Sequence, residues 1–486
     1  MKINLFSNPG FKATQVRVGA VCALVILHLL MMSQLSFAKV LNPFQKKSTF
    51  ICYNKSNVVS RENFIKIFKD TNFYINDIRY NGLYRTSSEK IKSADVLQKN
   101  FIFNVRDLDS TLEKYEELGI FEDITPCFNL NFEFKKMDVY YTFNEAWTII
   151  PYMGLSFGGG SQIFTIGLID TNFLKTARYF NYNFICKNSL CSSNVLFENK
   201  HFLEEKSTIG FAVKKITKYN VFYDEDKNIV GNFISSIDFL QLKFLWKFTS
   251  FIYSGLGLEY KNTQTFLNAL SQDQIDFNSK NNYKVPSNSK DSGTQIYLTL
   301  GKIKTTKWVS NGARLEMNTT LHPSFLNTEK KNYSDFYLTG LYYLDRVPWL
   351  PIRLVNESNL AFRLVLNSTG SSLDSNNFYI GGLDKVRGFV DNAFSGKTIL
   401  YGNAEVRINS IVTSRGFLQN VFFYDQGFVS NKISDIFSTK TKPTSLGLGI
   451  RLIPQFLSQI AIRMDYGFGI YPYSNSGLSF GFTQFF

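Results

Sequence analysis

Apolar and polar residues alternate with a period of two along most of the chain from residue 148 to residue 486. Such alternation predicts β-strands, because successive side chains of a strand point to opposite faces. A strand that crosses a membrane needs about 9–11 residues, and we predict sixteen strands of that kind. They are 150–158, 161–170, 177–187, 192–199, 207–217, 233–246, 250–260, 294–304, 312–321, 334–344, 352–367, 397–408, 418–428, 444–453, 459–470 and 477–486.

The longest polar stretches, 263–292, 371–396 and 431–444, fall on alternate connections between these strands. Long loops at one end and short turns at the other are typical of outer-membrane barrels. Beyond the N-terminus, no apolar run reaches the ~18 residues that indicate a transmembrane helix. The pattern therefore predicts an all-β transmembrane barrel of 16 antiparallel strands over 148–486. The alternative is a large soluble array of β-sandwiches.

A different pattern precedes the barrel, over residues 73–146. A strand is followed by a helix near 88–96, for which Thr86 and Glu89 form a capping box. A second helix at 108–118 has apolar residues at three- to four-residue spacing and ends at a glycine. Two alternating strands complete the order β-α-α-β-β. This order predicts one small N-terminal α+β domain.

The chain begins with an apolar run at 18–32, preceded by basic residues and followed by Ser36-Phe37-Ala38. This pattern is typical of a secretory signal peptide, which we assign to residues 1–38. Residues 39–72 are rich in lysine and poor in acidic residues. They are interpreted as a basic leader, comparable to a transit peptide, or as a linker.

The net charge and the side-chain motifs of the sequence limit the classes of function that we expect. The formal charge is +14 and phenylalanine alone numbers 48. Because the basic residues are scattered along loops rather than aligned in a stripe, we expect no nucleic-acid partner. The three histidines are far apart, and no nucleotide or nucleophile motif stands in its required setting. We therefore expect no enzyme activity, no cofactor and no metal site.

Cys186 and Cys191 bracket a short polar stretch. In an oxidising compartment they could form a disulfide at the tip of a hairpin. Cys52 and Cys127 have no obvious partner in the sequence.

One loop between two predicted strands concentrates glycines around a single arginine. Its residues are Gly381, Gly382, Val386, Arg387, Gly388 and Phe389. Arginine keeps its charge and its planar fork suits a carboxylate. The loop resembles the signature loop of the outer-membrane assembly and secretion barrels, a superfamily that includes BamA, the two-partner-secretion transporters and the Toc import channel. In that superfamily the loop folds back into the barrel lumen.

Other elements strengthen the resemblance. Leu118-Gly119-Ile120-Phe121 and Asn144-Glu145-Ala146-Trp147 are similar to sequences of a POTRA domain. Asp425 and Glu405 match acidic residues that face the lumen in this superfamily. The resemblance therefore implies a single POTRA domain, and a loop arginine, Arg387, that pairs with Asp425 and with Glu405.

The first and last strands are expected to form a lateral seam. Gly154 and Gly158 lie on the first strand, and Gly481 and Phe486 on the last. Glycine weakens a strand by about 0.5–1 kcal/mol, and an exposed strand edge invites a partner strand. The alternative is ordinary barrel closure.

The resemblance implies a machine that translocates proteins or inserts β-barrels. The POTRA domain would receive unfolded client polypeptides, the barrel would contact membrane lipid, and accessory subunits would join it. The basic leader favours a Toc-like import channel in the outer membrane of a plastid of the apicoplast kind. A BamA- or TamA-like assembly factor in a Gram-negative outer membrane is the alternative. A passive pore or surface structural barrel is an alternative of another class.

Overall fold

The computed structural model describes residues 49–53, 64–68, 72–203, 207–223, 229–266, 272–306, 309–345, 358–382, 384–413, 416–454 and 461–481. The predicted signal peptide lies outside these residues. So do most of the basic leader and Phe486.

Sixteen antiparallel strands close into one barrel. Each predicted strand corresponds to an observed one, and most observed strands are longer. The barrel strands are β5 (Ile149–Gly158), β6 (Ser161–Phe173), β7 (Arg178–Lys187), β8 (Leu190–Phe202), β9 (Ser207–Tyr223), β10 (Ile229–Thr249), β11 (Ile252–Phe266), β12 (Ser289–Thr306), β13 (Val309–His322), β14 (Tyr333–Leu344), β15 (Ser358–Thr369), β18 (Thr398–Thr413), β19 (Gly416–Ser430), β20 (Thr444–Pro454), β21 (Ile462–Tyr471) and β22 (Asn475–Gly481). The predicted fold class is confirmed.

The two faces of the barrel wall differ in chemistry. On β20 the exposed positions are apolar, for example Leu448 and Ile450, whereas the buried positions include Ser445 and Arg451. On β21 the exposed Tyr466 and Phe468 alternate with buried positions in the same way. The apolar outer face suits lipid, and the polar inner face lines the lumen.

Long connections gather at one end of the barrel, as the sequence predicts. The β11–β12 connection contains the helix α3 (Gln272–Lys280). The β15–β18 connection contains a short hairpin of β16 (Phe378–Ile380) and β17 (Phe394–Gly396). This hairpin carries the Arg387 loop at its tip.

The N-terminal residues form a separate four-stranded sheet in the order β1-β3-β4-β2. Its elements are β1 (Thr49–Cys52), β2 (Tyr74–Asn81), α1 (Ser88–Ala94), α2 (Val105–Glu117), β3 (Phe121–Asn131) and β4 (Lys136–Glu145). From β2 onward the order is β-α-α-β-β. Its core includes Leu108, Leu112 and Tyr115 of α2, packed with Tyr141 of β4. The helix face that the three- to four-residue spacing predicts is therefore the buried face.

The capping box predicted at Thr86 is wrong. The helix α1 is capped by Ser87, whose side chain makes no capping hydrogen bond. Thr86 is buried, and its hydroxyl instead accepts a hydrogen bond from Asn172 Nδ2 at 2.9 Å. Asn172 belongs to the end of β6, so a contact between the N-terminal domain and the barrel replaces the local cap.

Both cysteine pairs of the described chain are joined. Cys186 and Cys191 form the disulfide that the sequence suggests, across directly paired positions of β7 and β8. Cys52 and Cys127 form a second disulfide between β1 and β3, with the Cα atoms 4.0 Å apart. The second pair was missed because 75 positions separate its members in the chain.

No helix among the described residues combines the length and apolarity needed to cross a membrane.

Candidate functional site

Three glycines determine the backbone path of the Arg387 loop. Gly381, Gly382 and Gly388 all have positive φ, at 108°, 85° and 84°. At Gly388 an added Cβ would lie 2.8 Å from the backbone nitrogen of Gly469 on β21. Only glycine combines this backbone conformation with so close an approach to the barrel wall.

Arg387 is buried in the lumen, with 1% of its side chain exposed. Its Nε and one terminal nitrogen donate to the two oxygens of Asp425, each at 2.8 Å. The other terminal nitrogen, Nη1, donates to Glu405 Oε1 at 2.6 Å and lies 3.4 Å from Asp465 Oδ2. The arginine fork therefore joins the loop to three barrel strands, β18, β19 and β21.

Two further contacts hold this guanidinium. Its Cζ lies 3.4 Å from the centroid of the Phe423 ring, an arrangement that favours a cation. The Arg387 backbone N–H donates to Asp425 Oδ2 at 3.1 Å. Burial opposes the charge, but Asp425 and Glu405 outweigh it, so that the pKa of Arg387 is raised above its ordinary value. Arg387 is therefore a permanently charged anchor.

Two of the three carboxylates, Glu405 and Asp465, are shared with other arginines. Arg407 donates to Glu405 Oε2 at 2.8 Å and 2.7 Å. Arg451 binds Asp465 through both terminal nitrogens. Asp425 has no second arginine among the described residues, and Asn403 Nδ2 donates to it at 2.8 Å. Asp425 thus depends on Arg387 more than Glu405 does.

Arg387, Asp425 and Glu405 were predicted from the sequence, and the structure brings all three together. Arg451 and Asp465, which complete the cluster, were not predicted. Both are charged residues at inward positions of otherwise apolar alternating strands, and that signal could have found them. It could not have shown which of them meet, because the register between strands is not local information.

The same loop also contacts the first strands of the barrel. Its Asp391 N–H donates to the Gly159 carbonyl at 2.8 Å. The Asp391 carboxylate accepts from the Ser161 hydroxyl at 2.8 Å and pairs with Lys187. Gly159 has a φ of 58°, and an added Cβ would lie 3.0 Å from three atoms of this loop. The glycines after the first strand therefore make room for the loop, a role that sequence analysis did not assign to them.

The junction between β22 and β5, the last and first strands, closes the barrel. Among the described residues the two strands pair at Phe480 opposite Phe157. On its other side β5 pairs with β6, from Ile149 to Gly158. We call the β22–β5 junction the seam.

The seam residues named from sequence have different positions. Gly154 and Gly158 lie on β5 and Gly481 ends β22 as described. A Cβ on Gly481 would lie 3.2 Å from Ser156 Oγ, because the pairing of Phe480 with Phe157 places Gly481 beside Ser156, two residues from Gly154 along β5.

Comparison with known proteins gives the fold. No protein-family model matches the sequence, and no curated protein is significantly similar. The structure is similar to BamA from Haemophilus ducreyi lacking POTRA domains 1–3, with a TM-score of 0.60 and 13% identity, over 85% of both chains. This chain has the fold of BamA.

CdiB has the same fold. CdiB from Acinetobacter baumannii matches with a TM-score of 0.59 and 15% identity, over 85% of this chain and 74% of that chain. CdiB from Escherichia coli matches with 0.57 and 13%, over 84% and 76%. The barrel with its loops, from Ile149 to Gly481, spans about two-thirds of the chain. The alignment with BamA therefore extends beyond the barrel into the N-terminal domain.

Proposed function

We propose that this BamA-like barrel lies in an outer membrane and moves client polypeptides into or across it without catalysing a reaction. The Arg387 loop carries the proposal, because it contacts the barrel wall on both sides of the seam, where the first strand meets the last. When the seam opens, the strand edge that it exposes can accept the backbone of an incoming strand.

The loop suits a role at this junction. Gly388 lies against β21, next to the last strand, and Asp391 holds the turn after β5. A loop in this position can hold the seam closed when no client is bound. A passive pore has no need of a buried arginine cluster that fixes a loop across one of its junctions.

We propose further that the N-terminal domain is a single POTRA-like domain that receives unfolded client chain. Its strand β2 lies at the edge of the sheet. The start of β2 is bridged to Ile102, but no described strand covers the outer edge of Asp77–Asn81. An extended client can add there as a further strand. Accessory subunits and lipid contacts belong to the same proposal.

The basic composition of residues 39–72, of which Thr49–Cys52 fold into the N-terminal domain as β1, supports a plastid import channel of the Toc type, in a plastid of the apicoplast kind. A BamA- or TamA-like assembly factor of a Gram-negative bacterium is the second candidate, favoured by the likeness to BamA and CdiB. Fluorescence microscopy and fractionation of the tagged full chain separate them. A plastid envelope signal is expected for the first candidate, and a bacterial outer-membrane signal for the second.

Depletion of the protein tests the function itself. Loss of an import channel leaves precursors with uncleaved transit peptides. Loss of an insertase leaves outer-membrane barrels that no longer show heat-modifiable migration on gels. Normal levels of both processed precursors and folded barrels after depletion would contradict the proposal and favour a passive pore.

A further inference from the structure

We propose that the lumen contains a second site, formed by Glu259, His322 and Asp335, that binds a divalent transition-metal cation of the Zn²⁺ class. The three residues come from β11, β13 and β14. These strands precede β18, β19 and β21, which hold the Arg387 cluster. One donor atom from each lies within 4.8 Å of the others.

The histidine carries the argument. Its side chain is 1% exposed. Nδ1 lies 3.1 Å from the Ser292 carbonyl oxygen, which can only accept, so Nδ1 bears the hydrogen. In the neutral ring Nε2 then presents a lone pair, and it makes no hydrogen bond within the described structure. It is aimed at two carboxylate oxygens, Asp335 Oδ2 at 3.3 Å and Glu259 Oε1 at 3.7 Å.

Three electron-rich atoms that converge in a buried position repel one another unless a proton or a metal cation lies between them. Tetrahedral zinc, with bonds of about 2.0–2.2 Å to nitrogen and oxygen, separates its ligands by roughly 3.3–3.6 Å. The distance from Nε2 to Asp335 lies within that range, and the distance to Glu259 is slightly longer. Three protein ligands leave one tetrahedral position open, as in zinc sites that accept a further ligand.

Each ligand is also oriented by a neighbour, as metal ligands usually are. The second oxygen of Asp335 accepts from the Thr369 hydroxyl at 2.6 Å. The second oxygen of Glu259 accepts from Gln295 Nε2. The Tyr333 ring stacks on the imidazole, with 4.4 Å between centroids and 20° between planes. In all three residues, one atom is held and the other points to the common centre.

The strand register explains how the site forms. Glu259 is paired with Gly293, and a Cβ on Gly293 would lie 3.0 Å from His322 Cε1 and Nδ1. A glycine at this position leaves the inner wall open for the imidazole. The sequence analysis expected no metal site, because the three ligands are dispersed over three strands and form no spaced motif.

Imidazole with two carboxylates favours Zn²⁺ and its neighbours over Mg²⁺ and Ca²⁺, which prefer oxygen ligands alone. Mature protein folded in detergent is stripped with chelator and titrated with Zn²⁺. We expect one equivalent to bind, with no competition from millimolar Mg²⁺. Replacement by Co²⁺ should give the intense visible absorption of a four-coordinate site.

Three near-isosteric variants, Glu259→Gln, His322→Gln and Asp335→Asn, should each weaken Zn²⁺ binding at least ten-fold. Glu316→Gln is the matched control, because Glu316 lies on β13 but its side chain is about half exposed and paired with Arg314. Heat-modifiable migration checks that each variant is folded. If the unmodified chain binds no Zn²⁺, or if the three variants bind it as tightly as Glu316→Gln, the site is overturned and His322 is a buried imidazolium ion-paired to two acids.

Discussion

The Arg387 loop rests on two regions of the barrel that differ sharply. On one side, strands β18 to β21 form the anchoring wall, where Arg387 meets three buried carboxylates. On the other side, the loop reaches the strands beyond the seam through Asp391. Buried charge-assisted contacts hold the first side, and a few partly exposed contacts hold the second.

This contrast indicates how the barrel could open without falling apart. Removing one partner of a buried ion pair costs about 3–5 kcal/mol, whereas an exposed pair contributes about 0–1 kcal/mol. The contacts at Asp391, whose side chain is 14% exposed, lie between these limits. The loop can therefore stay on the anchoring wall while the seam separates.

The largest effect is expected from locking the seam. Phe157 and Phe480 are directly paired, so cysteines at both positions can form a disulfide across the junction. Oxidised Phe157→Cys/Phe480→Cys protein should lose function to background while its barrel stays folded. Complementation of a depleted strain, with and without reductant, measures this effect.

The control for the lock shares one of its cysteines. Phe157 is also paired with Gln162 on β6, so Phe157→Cys/Gln162→Cys joins two strands that are already fully paired. This variant should keep its function when oxidised. Full activity of the Phe157–Phe480 lock, with its disulfide verified by mass spectrometry, would show that the seam does not need to open.

The next largest effect is expected on the anchoring wall. Arg387→Ala leaves Asp425 buried with Asn403 as its remaining described side-chain partner, so loop docking should weaken by about 3–5 kcal/mol. We expect faster proteolysis of the loop and a severe loss of function. Arg314→Ala, which removes a half-exposed arginine from β13, is the control and should change neither.

A double-mutant cycle tests whether Arg387 and Asp425 act as a pair. Asp425→Ala should resemble Arg387→Ala, and the double variant should be little worse than either one. Arg387→Lys should be intermediate, because a lysine keeps the charge but loses the two-pronged contact. Additive losses in the cycle would contradict the pairing.

A smaller effect is expected on the seam side. Asp391→Asn removes the charge that pairs with Lys187 but keeps the backbone hydrogen bond to Gly159. The seam should open more readily, by about 1 kcal/mol. In planar bilayers this variant should show more frequent channel openings, while its loop resists protease like the native loop. Asp273→Asn, in an exposed part of α3, is the control, and equal opening frequencies in both would refute the tether.

The smallest effect on channel opening is expected from the disulfide next to Lys187, which contributes to stability alone. Cys186 and Cys191 are five positions apart on a hairpin, so their disulfide restricts the unfolded chain by roughly 2 kcal/mol or less. Cys186→Ser/Cys191→Ser should lower the unfolding temperature slightly and leave channel opening unchanged.

Cys52→Ser/Cys127→Ser, which opens a much longer loop, should destabilise the N-terminal domain by about 4 kcal/mol. A larger loss of stability in Cys186→Ser/Cys191→Ser than in Cys52→Ser/Cys127→Ser would contradict this order.

The sequence predicts the sixteen strands well because alternation is a local property. Each strand separates lipid from lumen, so its own residues, such as those around Leu448 and Arg451, record which face is which. The pairing of Arg387 with Asp425 was inferred from the resemblance, which supplied a contact that periodicity could not. Its burial is more complete than expected for a wet lumen.

What the sequence does not show are contacts between distant strands. The seam joins the first strand of the barrel to the last, and its register, Phe157 with Phe480, leaves no local trace. The same is true of Asp465 in the Arg387 cluster and of Glu259, His322 and Asp335 on β11, β13 and β14. At Thr86 a local rule failed outright, because a hydrogen bond from Asn172 replaced the predicted cap.

Site-specific photocrosslinking shows directly whether client chains engage the seam. A benzophenone amino acid is placed at Phe157 on the outer side of the seam, or at Tyr342 on the outer face of β14. The two side chains are similarly exposed, at 42% and 45%. We expect the photoreactive residue at Phe157 to form covalent adducts with client polypeptides during transport, and the one at Tyr342 to form none. Equal adducts at both positions, or none at Phe157 in actively transporting membranes, would contradict this expectation.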